Sequence, residues 1–428
     1  MRTLDFAAEP RTVLELAHRR RRLGPEIEAR TREILHAVET EGDEAVTTLT
    51  RQLDCKFIDS LGLKVSERER KAAYRVVSKQ FLKALRVAQA NITAYHRREL
   101  QKSWTLTRRG MTLQHRITPL RRVGIYVPGG KAAYPSTVLM NAIPASIAGV
   151  KEVVMATPCN SEGKVAPQVL VAASECEVKE IYRIGGAQAI AALAFGTESI
   201  PRVDKITGPG NAYVAAAKQL VYGMVGIDVI AGPTEIVVIA DATAPPSFVA
   251  ADLIAQAEHD ENATPLCITN SRPLADAVQL ELQRQLETAP RRGVAQRALQ
   301  DHGAIILVDK LDQAAEITNE LAPEHVEIMT RQPRRLAQRI TNAGSIFVGP
   351  WSTEALGDYI AGPNHTLPTS GTARFSSALS VSDFMKFVNV IEFSRPRFLQ
   401  VAADVEILAE AEGLAGHAAS VRIRRGAT

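Results

Sequence analysis

The stretch DLIAQAEHDENATP, residues 252–265, carries Gln256 and His259 close together in an otherwise apolar helical pattern. Residues three apart on a helix project from the same face on adjacent turns, so both side chains could bind one small target, such as a metal ion. A single pair of this kind has low specificity. The same polar residues are also typical of a helix that ends in solvent, so this stretch alone leaves both interpretations open.

A second candidate is LAPEHVEI, residues 321–328, in which Glu324 and His325 are neighbours after a proline. An adjacent carboxyl group and imidazole on a loop can both reach a cleft and supply two proton-transfer groups. Alternatively, the segment is a surface loop that leads into the strand HVEIM.

Two further segments carry histidine beside an acid or glycine. Residues 352–377 form a long, Gly-rich and lightly charged stretch with Asp358 and His365, and loops of this kind are usually functional. The helical tail carries Glu412 and His417 around a glycine break. Nitrogen and oxygen ligands without thiolate suit zinc or another borderline divalent ion, and such a set would be Gln256, His259, Asp358 and His417.

The turns YVPGGKAAYP (126–135) and ITGPGNAYV (206–214) are rich in glycine and follow short β-branched runs. In a parallel sheet such turns lie at the carboxyl ends of strands, where helix N-termini and bare backbone amides can hold phosphates. The dinucleotide fingerprint GxGxxG is not met, because Tyr213 stands where the third glycine would fall. Tight turns that need glycine for their backbone geometry are the alternative.

Composition restricts the class of protein. A chain of 428 residues with 46% hydrophobic residues indicates a globular protein of two or more domains, and a formal charge of +4 does not indicate a nucleic-acid binder. The basic run at 18–22 is followed by compensating acids, which favours a solvated helix face. Four cysteines without CxxC spacing argue against disulfides and thiolate metal sites and suit a reducing cytosol. Neither a signal peptide nor a transmembrane run is evident, so we expect a soluble cytoplasmic protein without membrane partners.

The elements that must position these residues follow from periodicity. Residues 10–100 show the apolar spacing of helices, and the chain then alternates short β-branched runs with helical segments, which predicts an α/β fold with parallel sheets. We expect two incomplete Rossmann-like units, a helical N-terminal region and a helical C-terminal tail. The predicted division is an outer α/β domain (23–125 and 235–379), an inner α/β domain (126–234), a small helical domain (1–22 and 380–405) and a tail (406–428).

Several motifs in order along nearly the whole chain resemble the histidinol dehydrogenase family. They are YVPGGKAAYPSTVLMNAIPA, GGAQAIAALAFGT, DKITGPGNAYVAAAK, GIDVIAGPTE, AADLIAQAEHD, LAPEHVEI, NAGSIFVG, GDYIAGPNHTLPTSGTARFSSALSV and EGLAGHA. The resemblance implies an enzyme that oxidises L-histidinol to L-histidine in two NAD-linked steps through a bound aldehyde. It also implies one zinc ion per subunit and a homodimer whose C-terminal tail crosses to the partner, so that Glu412 and His417 would serve the neighbouring site.

The resemblance assigns roles residue by residue. Glu324 and His325 are the implied catalytic bases, and zinc is implied at Gln256, His259, Asp358 and His417. The implied NAD positions are Tyr126, Gln188 and Asn211. Substrate contacts are implied for Thr234, Gln256, His259, His325, Asp358, His365, Glu412 and His417.

One position departs from the family pattern, since Thr234 replaces the usual serine in AGPTE, with the hydroxyl kept and a methyl group added. The nearest alternative function is the oxidation of another polar alcohol, such as a sulfonated diol, on the same scaffold. The carboxyl group of Glu412 argues against it, because a carboxylate favours a cationic substrate and repels a sulfonate. A non-catalytic zinc-binding protein would be expected to lack Glu324 or His325, and both are present.

Overall fold

The computed structural model of the chain describes residues 1–16, 24–129 and 133–426. The basic run at 18–22 and the centre of the first glycine-rich turn, 130–132, lie outside the described residues. In chain order the strands are β1 Arg2–Asp5, β2 Trp104–Arg108, β3 Met111–Pro119, β4 Arg122–Tyr126, β5 Glu152–Ala156, β6 Glu180–Tyr182, β7 Lys205–Thr207, β8 Gly226–Ile227, β9 Glu235–Ala240, β10 Thr264–Thr269, β11 Ala304–Leu307, β12 His325–Met329, β13 Ser345–Val348 and β14 Met385–Phe393.

Helices account for most of the remaining described chain. They are α1 Pro10–Glu15, α2 Pro25–Glu41, α3 Asp43–Leu53, α4 Ile58–Leu61, α5 Glu67–Val76, α6 Lys79–His96, α7 Pro135–Ala148, α8 Pro167–Glu175, α9 Gly186–Phe195, α10 Ala212–Val221, α11 Pro246–Ala257, α12 Arg272–Leu286, α13 Arg292–Asp301, α14 Leu311–Leu321, α15 Pro333–Ala337, α16 Glu354–Tyr359, α17 Arg395–Ala411 and α18 Ala415–Arg425. Short 3₁₀ turns occur at Arg97–Glu99, Thr372–Arg374 and Val381–Phe384.

A six-stranded parallel sheet has the strand order β1-β11-β10-β9-β12-β13. Its central strand β9 is apolar on both faces, with Ile236 and Val238 in one core cluster and Val237 and Ile239 in another. Successive side chains of a strand point to opposite faces, so a continuous apolar run of this kind requires helices on both sides. The predicted α/β fold is confirmed in this sheet.

A second parallel sheet has five strands in the order β6-β5-β4-β7-β8. Its core includes Ile190 of α9 and Ala217 of α10, and also Ile34 of α2 and Val46 of α3. Helices from the first 65 residues therefore pack on this sheet, whereas the sequence analysis grouped 23–125 with the outer domain. The predicted domain edges stay a prediction.

By their internal contacts the residues form two compact units, Met1–Glu99 with Leu120–Phe384, and Leu100–Pro119 with Met385–Thr428. The first unit contains both parallel sheets. The second contains an antiparallel sheet in the order β14-β3-β2 together with α17 and α18.

Helix was the wrong prediction for parts of 1–22 and 380–405. Residues 385–393, MKFVNVIEF, form β14, which pairs antiparallel with β3 along its whole length, as β-branched and aromatic residues favour. Residues 2–5 form β1, which pairs in parallel with β11 at the edge of the six-stranded sheet. Four residues are too few to show a period of their own, so tertiary pairing decides their structure.

The four cysteines, Cys55, Cys159, Cys176 and Cys267, are free thiols, as the sequence predicts. Across the described ranges, no helix has both the length and the apolar character that crossing a membrane requires.

Candidate active site

The predicted acid–imidazole pair lies at the amino ends of two central strands of the six-stranded sheet. His325 is the first residue of β12 and stands opposite Ile236 of β9. This register brings Glu324 beside Thr234, although the two are 90 residues apart in sequence. The preceding helix α14 ends at Leu321, and the left-handed backbone of the next residue, Ala322 (φ 46°), turns the chain sharply into Glu324.

Glu324 is buried, and two hydrogen-bond donors meet one of its carboxyl oxygens. Its Oε2 accepts a hydrogen bond from the Thr234 hydroxyl and another, at 3.1 Å, from the backbone N–H of Glu235. Burial raises the pKa of Glu324 to about 8, and the two hydrogen bonds oppose that rise by favouring the charged form. The carboxyl group can therefore exchange a proton near neutral pH, which a general base requires.

His325 is buried beside it, with Nδ1 3.1 Å from the backbone carbonyl oxygen of Glu235. A carbonyl oxygen can only accept, so Nδ1 carries the proton and donates, and Nε2 of the neutral ring is left as a proton acceptor. Burial lowers the pKa of His325 because it disfavours the imidazolium ion. The ring is thus held in the tautomer that can take up a proton.

The opening stretch supplies the next group of ligand atoms. Gln256 lies in the last turn of α11 and is fully buried; its Nε2 donates to the Thr234 hydroxyl oxygen. Its Oε1 is buried without a hydrogen-bond partner among the described residues. An unsatisfied buried carbonyl is costly, so its presence indicates a ligand that this oxygen is meant to meet.

His259, two residues beyond α11, completes a donor cluster with Asp358 and Glu354 of α16. One ligand atom from each of the three lies within 4.8 Å of the others. His365 lies alongside, partly buried, and its Nδ1 donates to the Asp358 carbonyl oxygen at 3.0 Å. The interpretation of residues 252–265 as a plain solvent-facing helix end does not account for a fully buried Gln256.

Glu354 was not predicted from the sequence. It begins α16 one helical turn before Asp358, and this i, i+4 spacing of acids in STEALGDY was the available signal. Burial raises the pKa of Glu354, and the charge and hydrogen bond of Asp358 raise it further. Its Oε1 is a second buried oxygen without a partner among the described residues.

A pair of buried acids behind the site was also missed. Glu327 of β12 accepts the backbone N–H of Glu354 at 2.6 Å, and Asp252 of α11 accepts the Thr353 hydroxyl at 2.9 Å. Burial raises the pKa of Glu327 and of Asp252, which share a hydrogen bond. These contacts join the three elements that carry Gln256, His325 and Asp358.

The predicted NAD positions lie at the carboxyl ends of the five-stranded sheet. Tyr126 ends β4, and its hydroxyl accepts the backbone N–H of Gly186 at 3.1 Å. Asn211 caps α10 by accepting the N–H groups of Tyr213 and Val214, each at 3.1 Å. The end of a helix that carries such a cap also carries the partial positive charge that attracts phosphates.

Gln188 lies in α9, where its Oε1 is buried without a partner among the described residues. Its Nε2 is 3.5 Å from Oδ2 of Asp54, a residue that the sequence analysis did not single out. Burial raises the pKa of Asp54 to about 6. The Gln188 amide and the Asp54 carboxyl group are therefore available to a polar ligand at the carboxyl edge of the five-stranded sheet.

Glu412 and His417 belong to the second unit. Glu412 ends α17 as its C-cap, and His417 lies in the first turn of α18. Both side chains are exposed within that unit.

An acid–imidazole pair beside clustered nitrogen and oxygen donors, in an α/β fold, suits the proton and hydride transfers of a dehydrogenase. The model of the histidinol dehydrogenase family matches residues 17–425, and the chain belongs to this family. It is 51% identical over 399 residues to a histidinol dehydrogenase of Synechococcus sp., covering 93% of this chain and 92% of that one. It is 52% identical to that of Moorella thermoacetica, covering 93% and 94%.

A solved structure extends the comparison to the fold. The crystal structure of histidinol dehydrogenase from Elizabethkingia anophelis superposes with a TM-score of 0.92 at 35% identity, covering 99% of this chain and 98% of that one. The predicted fold class and the predicted family are both confirmed.

Proposed function

We propose that this enzyme oxidises L-histidinol to L-histidine through L-histidinal, in two NAD-linked steps that require one zinc ion per subunit and complete histidine biosynthesis. The observation that carries the proposal is the hydrogen-bonded set of Gln256, Thr234 and Glu324 beside His325, with an unpartnered Gln256 Oε1. This set joins a metal donor to a proton acceptor in one buried site.

The donor set fits zinc. Gln256 Oε1 lacks a partner among the described residues, and His259 and Asp358 offer ligand atoms close to each other. Nitrogen and oxygen donors without thiolate are typical of catalytic zinc sites that keep a position open. Zinc, when bound, supplies positive charge and ligand positions for the nitrogen atoms of the substrate.

The carboxyl ends of β4, β6 and β7 carry polar groups that suit a dinucleotide. Asn211 at the start of α10 and the unpartnered Oε1 of Gln188 are the groups we assign to NAD, together with Tyr126. NAD, when bound, takes up the hydride from the substrate carbon in each oxidation.

The first oxidation removes a hydride from the alcohol carbon and a proton from the alcohol oxygen. His325 accepts that proton at Nε2, since its Nδ1–H is engaged with the Glu235 carbonyl. The product is the aldehyde, and His325 must release its proton before the next step.

The second oxidation needs a water molecule added to the aldehyde carbon. Glu324 takes the proton of that water, which it can do because its pKa lies close to neutral pH. His325 then accepts a proton from the hydrate as the second hydride leaves. Overall, one histidinol, one water and two NAD⁺ give one histidine and two NADH, and the remaining hydrogens leave as protons.

We further propose a homodimer in which the C-terminal tail, 406–428, serves the partner's site. His417 would complete the zinc ligands, and Glu412 would face the amino group of the substrate, whose positive charge a carboxylate favours. Both side chains are exposed in their own unit, as such a role requires.

The test is NADH formation from L-histidinol by the purified protein, before and after chelation and after zinc is added back. We expect two NADH per histidinol, lost on chelation and restored by zinc. A protein that binds zinc but forms no NADH from histidinol would overturn the substrate assignment, and a sulfonated diol would then be the next substrate tested.

A further inference from the structure

Lys218 of α10 and Asp228, which follows β8, form an ion pair away from the proposed reacting groups. The side chains of both are only 2% exposed. A buried ion pair often contributes little net stability, because two charges must be removed from water. Stabilisation of the fold alone therefore does not explain why this ion pair is present.

All three ammonium donors of Lys218 have acceptors. Nζ donates to the Asp228 carboxylate and, at 3.0 Å each, to the backbone carbonyl oxygens of Gly208 and Val229. Asp228 in turn accepts the backbone N–H of Gly208 at 2.7 Å. The C=O and the N–H of Gly208 are thus both hydrogen-bonded to this ion pair.

Gly208 belongs to the turn that leads to Asn211. Its backbone has a φ of 111°, and a Cβ added there would lie 2.0 Å from the carbonyl oxygen of Tyr126. The turn therefore packs directly on the end of β4 and tolerates only glycine at this point. Contacts that hold Gly208 in place therefore also hold the backbone between Tyr126 and Asn211, two of the proposed NAD positions.

The other contact of the pair, Val229, lies in the connector 228–234, where the chain passes from β8 of the five-stranded sheet to β9 of the six-stranded sheet. Gly232 in this connector donates its N–H to the Thr369 hydroxyl at 2.6 Å. The connector ends at Thr234, which bonds to Glu324 and Gln256.

We propose that the Lys218–Asp228 ion pair is a positioning device that holds the NAD-side turn and the connector to Thr234 in one fixed arrangement. The inference rests on the proposed function, since it assumes that NAD binds at Asn211. An apolar pair of the same volume could fill the space, but it could not bind the N–H and C=O of Gly208.

The test compares Asp228→Asn, Lys218→Met and the double variant Lys218→Met/Asp228→Leu in the full-length protein. Each is measured for NADH affinity by fluorescence, for the KM of NAD and of histidinol, and for the midpoint of thermal unfolding. We expect NADH binding to weaken about tenfold in each single variant, because a hydrogen bond to a charged group is lost or distorted. The KM of NAD should rise more than the KM of histidinol.

The double variant separates positioning from stability. It leaves no uncompensated buried charge, so its unfolding midpoint should return towards that of the parent protein, while NADH binding stays weak. Asp383→Asn is the matched control, because it breaks another lysine–aspartate pair, the partly buried Lys205–Asp383, and leaves the charge of Lys205 in place. It should lower the unfolding midpoint and leave NADH affinity unchanged.

Two results would overturn the proposal. One is a double variant that recovers NADH affinity together with stability, which would make the pair purely structural. The other is normal NADH affinity in single variants of lowered stability. Failure of the proposed function is distinguishable, because it would appear in the unmodified protein as absence of NADH formation from histidinol. The positioning role would be overturned as well if the unmodified protein did not bind NADH.

Discussion

Thr234 donates its hydroxyl hydrogen to the carboxylate of Glu324, and this bond determines how the neighbouring amide is used. Because the hydrogen is committed to Glu324, the Thr234 oxygen accepts from Nε2 of Gln256. That fixes the orientation of the Gln256 amide and leaves its Oε1 pointing away as a free acceptor. One hydroxyl group thus connects the proposed general base to the proposed metal ligand.

Replacing Thr234 tests this connection. Thr234→Ser keeps the hydroxyl, so we expect kcat/KM to change by no more than about threefold, as for a small change in a polar contact. Thr234→Val removes it, and since the Thr234 bond lowers the pKa of Glu324, that pKa should rise. The rise should move the pH profile of kcat/KM for the oxidation of histidinal, the step assigned to Glu324, to higher pH. An unshifted profile in Thr234→Val would show that the hydroxyl does not control Glu324.

The buried carboxyl of Glu324 should also govern the stability of the metal-free protein. Its pKa rises from 4.5 to about 8 on folding, so the folded state holds the proton more tightly than the unfolded chain. The stabilising contribution is therefore fully present below about pH 4.5 and is lost as pH rises to about 8. Glu324→Gln cannot titrate, and it should be more stable than the parent protein by on the order of 3 kcal/mol at pH 8 but not at pH 4.5.

Urea unfolding of the metal-free protein at several pH values measures this difference. Glu39→Gln, at an exposed position of α2, is the matched control and should leave the pH dependence unchanged. Equal free energies of unfolding for Glu324→Gln and the parent protein at pH 8 would contradict the raised pKa.

Much of the fold could be predicted because buried strands and helices show characteristic patterns of apolar residues in the sequence. The strand EIVVIA at 235–240 is apolar and buried at every position after Glu235, which only a sheet covered on both faces explains. The antiparallel sheet was missed although β2 and β3 flank a two-residue turn, Arg109–Gly110, in which both residues have positive φ. Arginine is not a typical first residue of such a turn, so the usual hairpin signal was absent.

The residues of the site could be predicted only because several family motifs occur in the expected order along the chain. That Thr234 meets Glu324 depends on the register of β9 against β12, which no local pattern encodes. In the sequence nothing distinguishes Glu354 from the other members of a set of 47 aspartates and glutamates. Only the structure shows that it is buried. Asp54 was missed for the same reason, since its contact with Gln188 joins residues 134 apart.

Gln256→Leu should separate metal binding from folding. The substitution removes an unpartnered buried oxygen, so the metal-free protein should be as stable as the parent or more so, despite losing the bond to Thr234. Zinc affinity should fall at least about tenfold, as for loss of a ligand or its supporting contact. Competition with a coloured chelator gives the affinity, and thermal unfolding gives the stability.

Gln188→Leu is the control for this variant, because it removes the same atom type, also buried and unpartnered among the described residues, from the NAD side. Its zinc affinity should equal that of the parent protein. If both variants lose zinc equally, Gln256 has no special role as a ligand.

Glu354→Gln tests the acid that the sequence analysis did not find. The hydrogen bond from the backbone N–H of Glu354 to Glu327 remains, but the variant lacks a carboxyl group beside His259 and Asp358 that could lose its proton to a metal ion. We expect zinc affinity to fall about tenfold, because a metal-bound carboxylate would be lost. The metal-free protein should gain stability at neutral pH, because the raised pKa of Glu354 makes folding take up a proton that the amide does not need. Glu258→Gln changes an acid adjacent in sequence to His259 but outside this cluster. Equal zinc affinities in the two variants would exclude Glu354 from the metal site.

The roles proposed for Glu324 and His325 predict different defects for variants of the two residues. Glu324→Gln should lower the oxidation of histidinal by at least about 100-fold, because activation of water loses its base. It should leave the reduction of histidinal by NADH, which is the first step reversed and needs no water, within about tenfold. His325→Asn should lower both reactions by about 100-fold or more, since Nε2 exchanges a proton in each. The two rates are measured from the absorbance of NADH with histidinal as the common substrate. Equal losses in both reactions for Glu324→Gln would place Glu324 in the first step as well and contradict the assignment.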